Sequence, residues 1–267
     1  MVQTRRRRVE GALSKDPYDV KVRSKVVDQE NGTTKTAMSN GDVIIGDSSF
    51  YHAGKWNGYV QIKNKRSLYK GNVIDNVRYG PAVLKKKLKD GRSFKLKAKF
   101  VEGVAQGEAS ALYGNLTRVT GWIEDGDFNG PVRKIRMKKK QRKDSEGNTK
   151  NYLVPGKVLF EGNVKGGRAI GECKVPQMNR EGHYLKGYLN GFGKVQYKSG
   201  SVYEGEFKKN KRHGQGKLTL KDGTVVEGLF TKNKRVRNSY TITNPDEVDE
   251  ETGADDNVEA ARNSMCI

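Results

Sequence analysis

Cysteine and histidine are nearly missing from this chain, and with them the usual means of building a metal centre, a disulfide framework or a nucleophilic active site. Among 267 residues there are two cysteines, Cys173 and Cys266, too few for a disulfide or zinc framework. The three histidines, His52, His183 and His213, have no carboxylate or cysteine at ligand spacing. Neither a Gly-Lys-Ser/Thr phosphate loop nor a Gly-x-Ser-x-Gly elbow occurs. No apolar run approaches the roughly 18 residues that a membrane-spanning helix needs. The opening MVQTRRRRVEG lacks the apolar stretch of a secretory signal. The final SMCI is not a prenylation box, because its cysteine is second from the end instead of fourth. These absences predict no catalytic residue, no metal, no cofactor and an intracellular chain. It would be cytoplasmic or held on cytoskeleton or membrane, with nucleus or virion as alternatives.

Glycine, by contrast, is abundant and ordered. Pairs nine residues apart recur at Gly71/Gly80, Ala98/Gly107 (with alanine first), Gly121/Gly130, Gly162/Gly171, Gly182/Gly191 and Gly205/Gly214, and Gly228 opens a seventh copy. Gly182, Gly205 and Gly228 are evenly spaced, as are Gly191/Gly214 and Gly193/Gly216, so the period is about 23 residues, the signature of a repeat architecture. In the clearest copy, Ser201 to Gly223, Tyr203, Gly205 and Phe207 alternate with Val202, Glu204 and Glu206. Gly216, Leu218 and Leu220 then alternate with Lys217, Thr219 and Lys221, and Asp222-Gly223 supplies turn chemistry. Each copy therefore reads as a β-hairpin.

Glycine inside a strand weakens it, so its recurrence at one register needs a cause. The expected cause is an aromatic ring from a neighbouring strand lying across bare backbone, where a Cβ would hold it off. Small residues at the same register, Ala82, Ala98, Ala109 and Cys173, agree with this. Plain turn formation is the alternative.

The runs YEGEF (Tyr203–Phe207) and HGQGKLTLKDG (His213–Gly223) closely resemble the MORN motif, the membrane occupation and recognition nexus repeat. Weaker copies are FEGNV from Phe160, YKGNV from Tyr69, VTGWI from Val119, LKAKF from Leu96 and HAGKW from His52, so the resemblance covers roughly residues 50 to 237. Arg180 stands where Tyr203 does, Arg237 replaces the second glycine of the last copy, and a long insertion separates Gly121 from Gly162. The resemblance implies an all-β fold, a single elongated antiparallel sheet of stacked hairpins about 70–80 Å long at the usual strand spacing. It implies a long surface in place of a pocket. Some family members carry an added catalytic domain, whereas only about thirty residues follow the last copy here.

Composition fits one extended, surface-rich domain: 34% of residues are hydrophobic and 31% charged. Residues 1–40 are expected to be a disordered basic arm containing Arg5–Arg8, residues 41–240 the sheet with a lysine-rich insertion at about 133–152, and residues 241–267 an acidic tail. That tail holds eight carboxylates and one arginine after Pro245, and a short helix from about Asp255 through Asn263 is expected within it. The net charge of +21 concentrates in two further places. One is Lys85, Lys86, Lys87 and Lys89, continued by Arg92, Lys95, Lys97 and Lys99. The other, denser one is Arg133, Lys134, Arg136, Lys138, Lys139, Lys140, Arg142 and Lys143, which leads into DSEGNTKN and is expected to project as a longer hairpin or a mobile loop. Fixed positive potential of this kind attracts anions.

Two partner classes follow. The first is a protein, such as a helix laid along the repeat face of a scaffold. The second is an acidic lipid surface gripped by the basic clusters. Nonspecific nucleic-acid binding ranks below both, because no base-reading motif accompanies the charge. Oligomeric state stays open.

Overall fold

A computed structural model describes residues 22–28, 31–88 and 91–245. The Arg5–Arg8 run, Lys89, the Asp255–Asn263 helix and Cys266 lie outside the described residues. What is described is an eighteen-stranded antiparallel sheet plus one two-stranded ribbon, Tyr51–His52 with Lys55–Trp56, and no α-helix. Strands pair in chain order. Val22–Asp28 meets Thr33–Met38, which meets Val43–Asp47, which meets Gly58–Lys63. Hairpins then follow as Ser67–Ile74 with Val77–Lys87, Ser93–Val101 with Val104–Tyr113, and Thr117–Glu124 with Asp127–Lys143. The last four are Thr149–Lys165 with Arg168–Val175, Arg180–Leu185 with Tyr188–Gln196, Val202–Lys208 with Lys211–Thr219, and Val225–Thr231 with Lys234–Thr243. At the usual strand spacing the sheet is about 80 Å across.

The sheet starts earlier than expected. Residues 22–38, assigned to the disordered arm from sequence, form two strands, because Thr34, Thr36 and Met38 alternate inward and are buried. Thr36 is held there by accepting the indole N–H of Trp56 at 3.0 Å. Polar threonines hid this periodicity.

Within each hairpin the turn is two residues long with both φ angles positive, as at Lys209 (51°) and Asn210 (65°), the type I′ turn that matches strand twist. Asn210 also ties neighbouring hairpins together. Its N–H donates to the Leu189 carbonyl at 2.9 Å and its side-chain oxygen accepts the Leu189 N–H at 2.8 Å. Asn76 does the same to Trp56, and Asn233 to Arg212.

The glycine register is a spine. Reading across the strands, Thr34, Gly46, Val60, Gly71, Ala82, Ala98, Ala109 and Gly121 are successive partners. The row continues through Val132, Gly162, Cys173, Gly182, Gly193, Gly205, Gly216 and Gly228. Its members are small or slim because large side chains of the flanking rows lie flat over it, no second layer being there to receive them. Tyr203 is fully buried in this way, edge-on to Phe207 and Phe230 at 5.1 Å between ring centroids. Tyr69 meets Phe100 likewise at 5.4 Å.

The ring explanation holds at part of the spine and needs correcting elsewhere. A Cβ on Gly216 would stand 2.1 Å from the Tyr203 hydroxyl, and one on Gly71 2.8 Å from that of Tyr69. At Gly182 and Gly205, however, it would first meet the partner backbone, 2.4 Å from the Cα of Gly193 and of Gly216. At Gly162 it would meet Cys173, whose buried thiol is pushed up in pKa by desolvation. The common demand is close backbone approach at a bulge: Gly205 faces Gly216, but Phe207 faces Arg212, so the second strand carries extra residues. Gly214 sits in that excess at φ 60°, in the left-handed region.

Gly191, grouped from sequence with the glycines that make room for rings, requires the same correction. It lies off the spine, opposite Phe207, and a Cβ there would come no closer than 3.4 Å to a neighbouring strand, at the Cβ of His183. Its φ is 107°, and it falls in the excess of its own bulge, where Gly182 faces Gly193 but Tyr184 faces Leu189. Backbone conformation, not ring packing, is therefore what Gly191 supplies. The nine-residue pairing thus joins a glycine needed for space to one needed for conformation. The bulge frees a carbonyl that a tyrosine satisfies: the Tyr203 hydroxyl donates to Glu206 O at 3.2 Å, and that of Tyr69 to Asn72 O at 2.7 Å. Burial pushes both phenols up to about 12.

The sequence departures have local solutions. In the last copy the bulge is one residue longer, and Asn238 at φ 57° takes the left-handed position that Arg237 would have occupied. In the Arg180 copy, Leu189 covers Gly193 where a tyrosine would otherwise do so.

Gly216→Ala is expected to lower stability by about 1–3 kcal/mol, the range for overpacking a filled site. In a Tyr203→Leu background the same change is expected to be smaller. Urea denaturation of the four proteins checks this, and equal effects in both backgrounds would contradict the contact.

Candidate functional site

The outer face, opposite the buried rings, carries its charges in a second cross-strand row. From Arg133 the partners run Glu161, Lys174, Glu181, Lys194, Glu204, Lys217 and Glu227, alternating in sign at every strand. Arg133 pairs with Glu161 at 2.7 Å and Lys174 with Glu181 at 3.6 Å; Lys194 pairs with Glu204, and Lys217 with Glu227 at 3.9 Å. Opposite charges on facing strands each add a few tenths of a kcal/mol, up to about 1 kcal/mol.

Toward the N-terminal half the same row loses its acids. It reads Gln61, Lys70, Val83, Lys97, Ser110 and Thr120. Two residues along, Lys63, Leu68, Lys85, Lys95, Leu112 and Arg118 are partners, with Lys85 directly opposite Lys95. Like charges at facing positions destabilise a sheet, so this arrangement is not explained by folding.

Three of these cations, Lys63, Lys85 and Lys95, form part of an open groove at one long edge of the sheet. Lys63, Lys65 and Arg66 line it together with Lys85, Lys86, Lys87 and Lys95, over a floor that includes Leu68, Phe94, Leu112 and Tyr113. Lys85, Lys86 and Lys87 of the sequence-predicted cluster are thus gathered here, while Lys97 and Lys99 lie further along the outer face. Lys63, Lys65 and Arg66 were missed, since their approach to Lys85 appears only once the strand register is known.

The second cluster divides. Arg133 belongs to the neutralised ladder, Arg136 donates from Nη1 to the Asn115 carbonyl, and Lys134 stands opposite Val119 and Phe160. Lys138, Lys139, Lys140, Arg142 and Lys143 are exposed on a two-stranded finger. Residues 137–143 pair only with residues 149–155, beyond the last contact with the preceding strand at Arg136 and the following one at Glu161. The insertion is therefore the longer hairpin, closed by a turn from Asp144 to Asn148. Asp144 pairs with Lys150 at 2.9 Å, which holds its carboxyl below the usual range. The finger's base adjoins the groove: Met137 N–H donates at 2.7 Å to the carbonyl of Leu116, a groove residue. Two clusters far apart in sequence become one basic edge.

A third feature is apolar. Tyr59, Tyr79, Trp122, Phe192 and Leu229 stand exposed on the outer face beside the charge row; Trp122 is 53% and Phe192 68% accessible. They face polar partners, Asn72 for both tyrosines, Glu108 for Trp122 and Glu206 for Phe192. Among the described residues no group of three or more His, Cys, Asp or Glu could hold a metal, and no helix is long and apolar enough to cross a membrane.

Glu204→Gln is expected to cost less than about 1 kcal/mol, as exposed pairs do. Lys85→Gln is expected to leave stability unchanged or raise it slightly by relieving repulsion. Urea denaturation at low salt checks both; a clear loss on Lys85→Gln would make that lysine structural.

A search among curated proteins found no match. Residues 181–202 and 203–225 match the family model of the MORN repeat. Apart from Arg180, these spans take in the hairpins Arg180–Leu185 with Tyr188–Gln196 and Val202–Lys208 with Lys211–Thr219. The chain carries MORN repeats, and the sheet continues their hairpin geometry on both sides of the matched pair.

Proposed function

We propose that this chain is a non-enzymatic scaffold that binds a protein partner across its outer face within a larger assembly. MORN repeats are found in scaffold and membrane-binding proteins. The observation that supports a protein partner is the set of exposed aromatics, Tyr59, Tyr79, Trp122 and Phe192, spread along one face. Aromatic side chains left in water on a rigid surface are characteristic of contact sites, because they bury much area for little lost entropy. An elongated partner such as a helix crossing the strands suits this spacing better than a compact ligand does.

Affinity capture with the unaltered chain and with Trp122→Ala/Phe192→Ala tests it. The partners held by the unaltered chain are expected to be lost from the double variant while its urea midpoint stays the same. Equal recovery of every partner would contradict the reading.

The unneutralised groove supports a second role, attachment to acidic lipid. Each basic residue near such a surface contributes about 1 kcal/mol. Sedimentation with phosphatidylserine vesicles at low and moderate salt is expected to show salt-sensitive pelleting that weakens in Lys63→Gln/Lys85→Gln/Lys95→Gln. Absence of pelleting at low salt would remove this role and leave the scaffold reading intact.

A further inference from the structure

We infer that Arg180, Arg212 and the hydroxyl of Tyr197, on the inner face of the C-terminal hairpins, form a binding site for a phosphate group. This goes beyond the scaffold reading and does not rest on it.

The first ground is a pair of arginines whose donors are not used up by the fold. Three other placements show what packing asks of an inner-face arginine. Arg78 lies over Tyr69 at 4.8 Å and Arg235 over Tyr240 at 4.9 Å, while Arg212 stands 5.4, 5.6 and 5.9 Å from the rings of Phe230, Tyr203 and Tyr197. Arg180 has no such role: among the described residues it makes no hydrogen bond, ion pair or ring contact. Its Nε–H is nevertheless shut off from water without a partner. So is that of Arg212, a residue 9% accessible whose guanidinium has one hydrogen bond, from Nη2 to the Asn233 carbonyl at 2.7 Å. Buried donors left unpaired are costly, and two of them together mark a place for an acceptor.

The second ground is convergence without an acid. Arg180 faces Val195, which sets Tyr197 diagonally across from it on the same face, about 7–8 Å away between Cα atoms. Arg212 reaches the same ring. Burial pushes the Tyr197 phenol up, and Arg212 and Arg180 both act against that rise. Of the carboxylates between residues 160 and 242, Glu161, Glu181, Glu204 and Glu227 are paired in the outer ladder. Glu206 accepts the Gln215 N–H at 3.1 Å, Asp222 accepts the Thr224 N–H at 2.9 Å, and Glu172 faces His183 on the outer side. Two like charges brought to one hydroxyl repel, so folding does not account for them, whereas an anion held between them does. Guanidiniums grip oxyanions through paired N–H groups, and the Tyr197 hydroxyl adds a third side chain. Donors from three side chains suit the three terminal oxygens of a phosphate monoester better than the two of a carboxylate. The site is several hairpins away from the basic groove.

Nitrogen-15 NMR of the arginine Nε–H groups in the full chain tests the site, because it reads these two side chains apart from the surface lysines. The two signals, identified by their loss in Arg180→Lys and Arg212→Lys, are expected to shift together as inorganic phosphate is added at constant ionic strength. Their common midpoint should lie several-fold below that for acetate. It should rise several-fold for the remaining arginine in either lysine variant and for both arginines in Tyr197→Phe. Arg180→Gln, at the half-buried position, serves the same purpose if the urea midpoint shows that replacing Arg212 disturbs the fold. Signals that stay still, that move with separate midpoints, that answer acetate as they answer phosphate, or that titrate unchanged in the variants would each overturn the site. A phosphoserine tripeptide titrated alongside separates the sources. A midpoint several-fold below that of inorganic phosphate assigns the site to a phosphorylated protein, and an equal one assigns it to free phosphate.

Discussion

The close approach of backbone to backbone along the small-residue spine is the constraint from which the rest of this structure follows. A single-layer sheet has no opposite layer against which to bury an aromatic side chain. Here the sheet buries its rings against itself, by removing side chains from one cross-strand row and laying the neighbouring rows over the gap. Tyr203 shows every part of the device. Its ring covers Gly216, its edge contacts reach the next hairpin through Phe230, and its hydroxyl satisfies a carbonyl released by the bulge. Because ring and glycine belong to adjacent strands, and ring and ring to adjacent hairpins, each unit stabilises its neighbours, as expected of a linear repeat array.

The inner face being committed to this packing, the outer face is where the chain can vary. It does so unequally. From Arg133 onward, acids and bases alternate strand by strand and neutralise one another; toward the N-terminus the same rows keep their lysines and lose their acids. The finger extends this imbalance beyond the edge of the sheet. Charge is thus segregated along the ribbon, and Trp122 and Phe192 stand exposed on the same face.

Much of the fold was legible because glycine is rare inside strands, so its regular return exposes both period and register. Ala82, Ala98, Ala109 and Cys173 were readable as spine members for the same reason. Three things were not. The strands of residues 22–38 use threonine on the inner face, which apolar periodicity does not register. The second glycine of each pair serves backbone conformation and not ring packing, a distinction invisible in letters alone but clear from φ at Gly191 and Gly214. Lys63, Lys65 and Arg66 join Lys85 only through strand pairing, so a scan for basic runs passes over them. The departures at Arg180 and Arg237 were visible, whereas their remedies, Leu189 over Gly193 and Asn238 in the left-handed position, depend on geometry.

The spine can be observed directly in solution. Cross-strand Hα–Hα nuclear Overhauser contacts should link Gly182 to Gly193 and Gly205 to Gly216, the non-hydrogen-bonded pairs of the row, and amide–amide contacts should link the alternating hydrogen-bonded pairs Gly193/Gly205 and Gly216/Gly228, together an unbroken series over five successive strands. Finding that series would establish the register on which packing, ladder and groove all depend. A gap in it, or contacts from these glycines to residues one place out of step, would contradict the account.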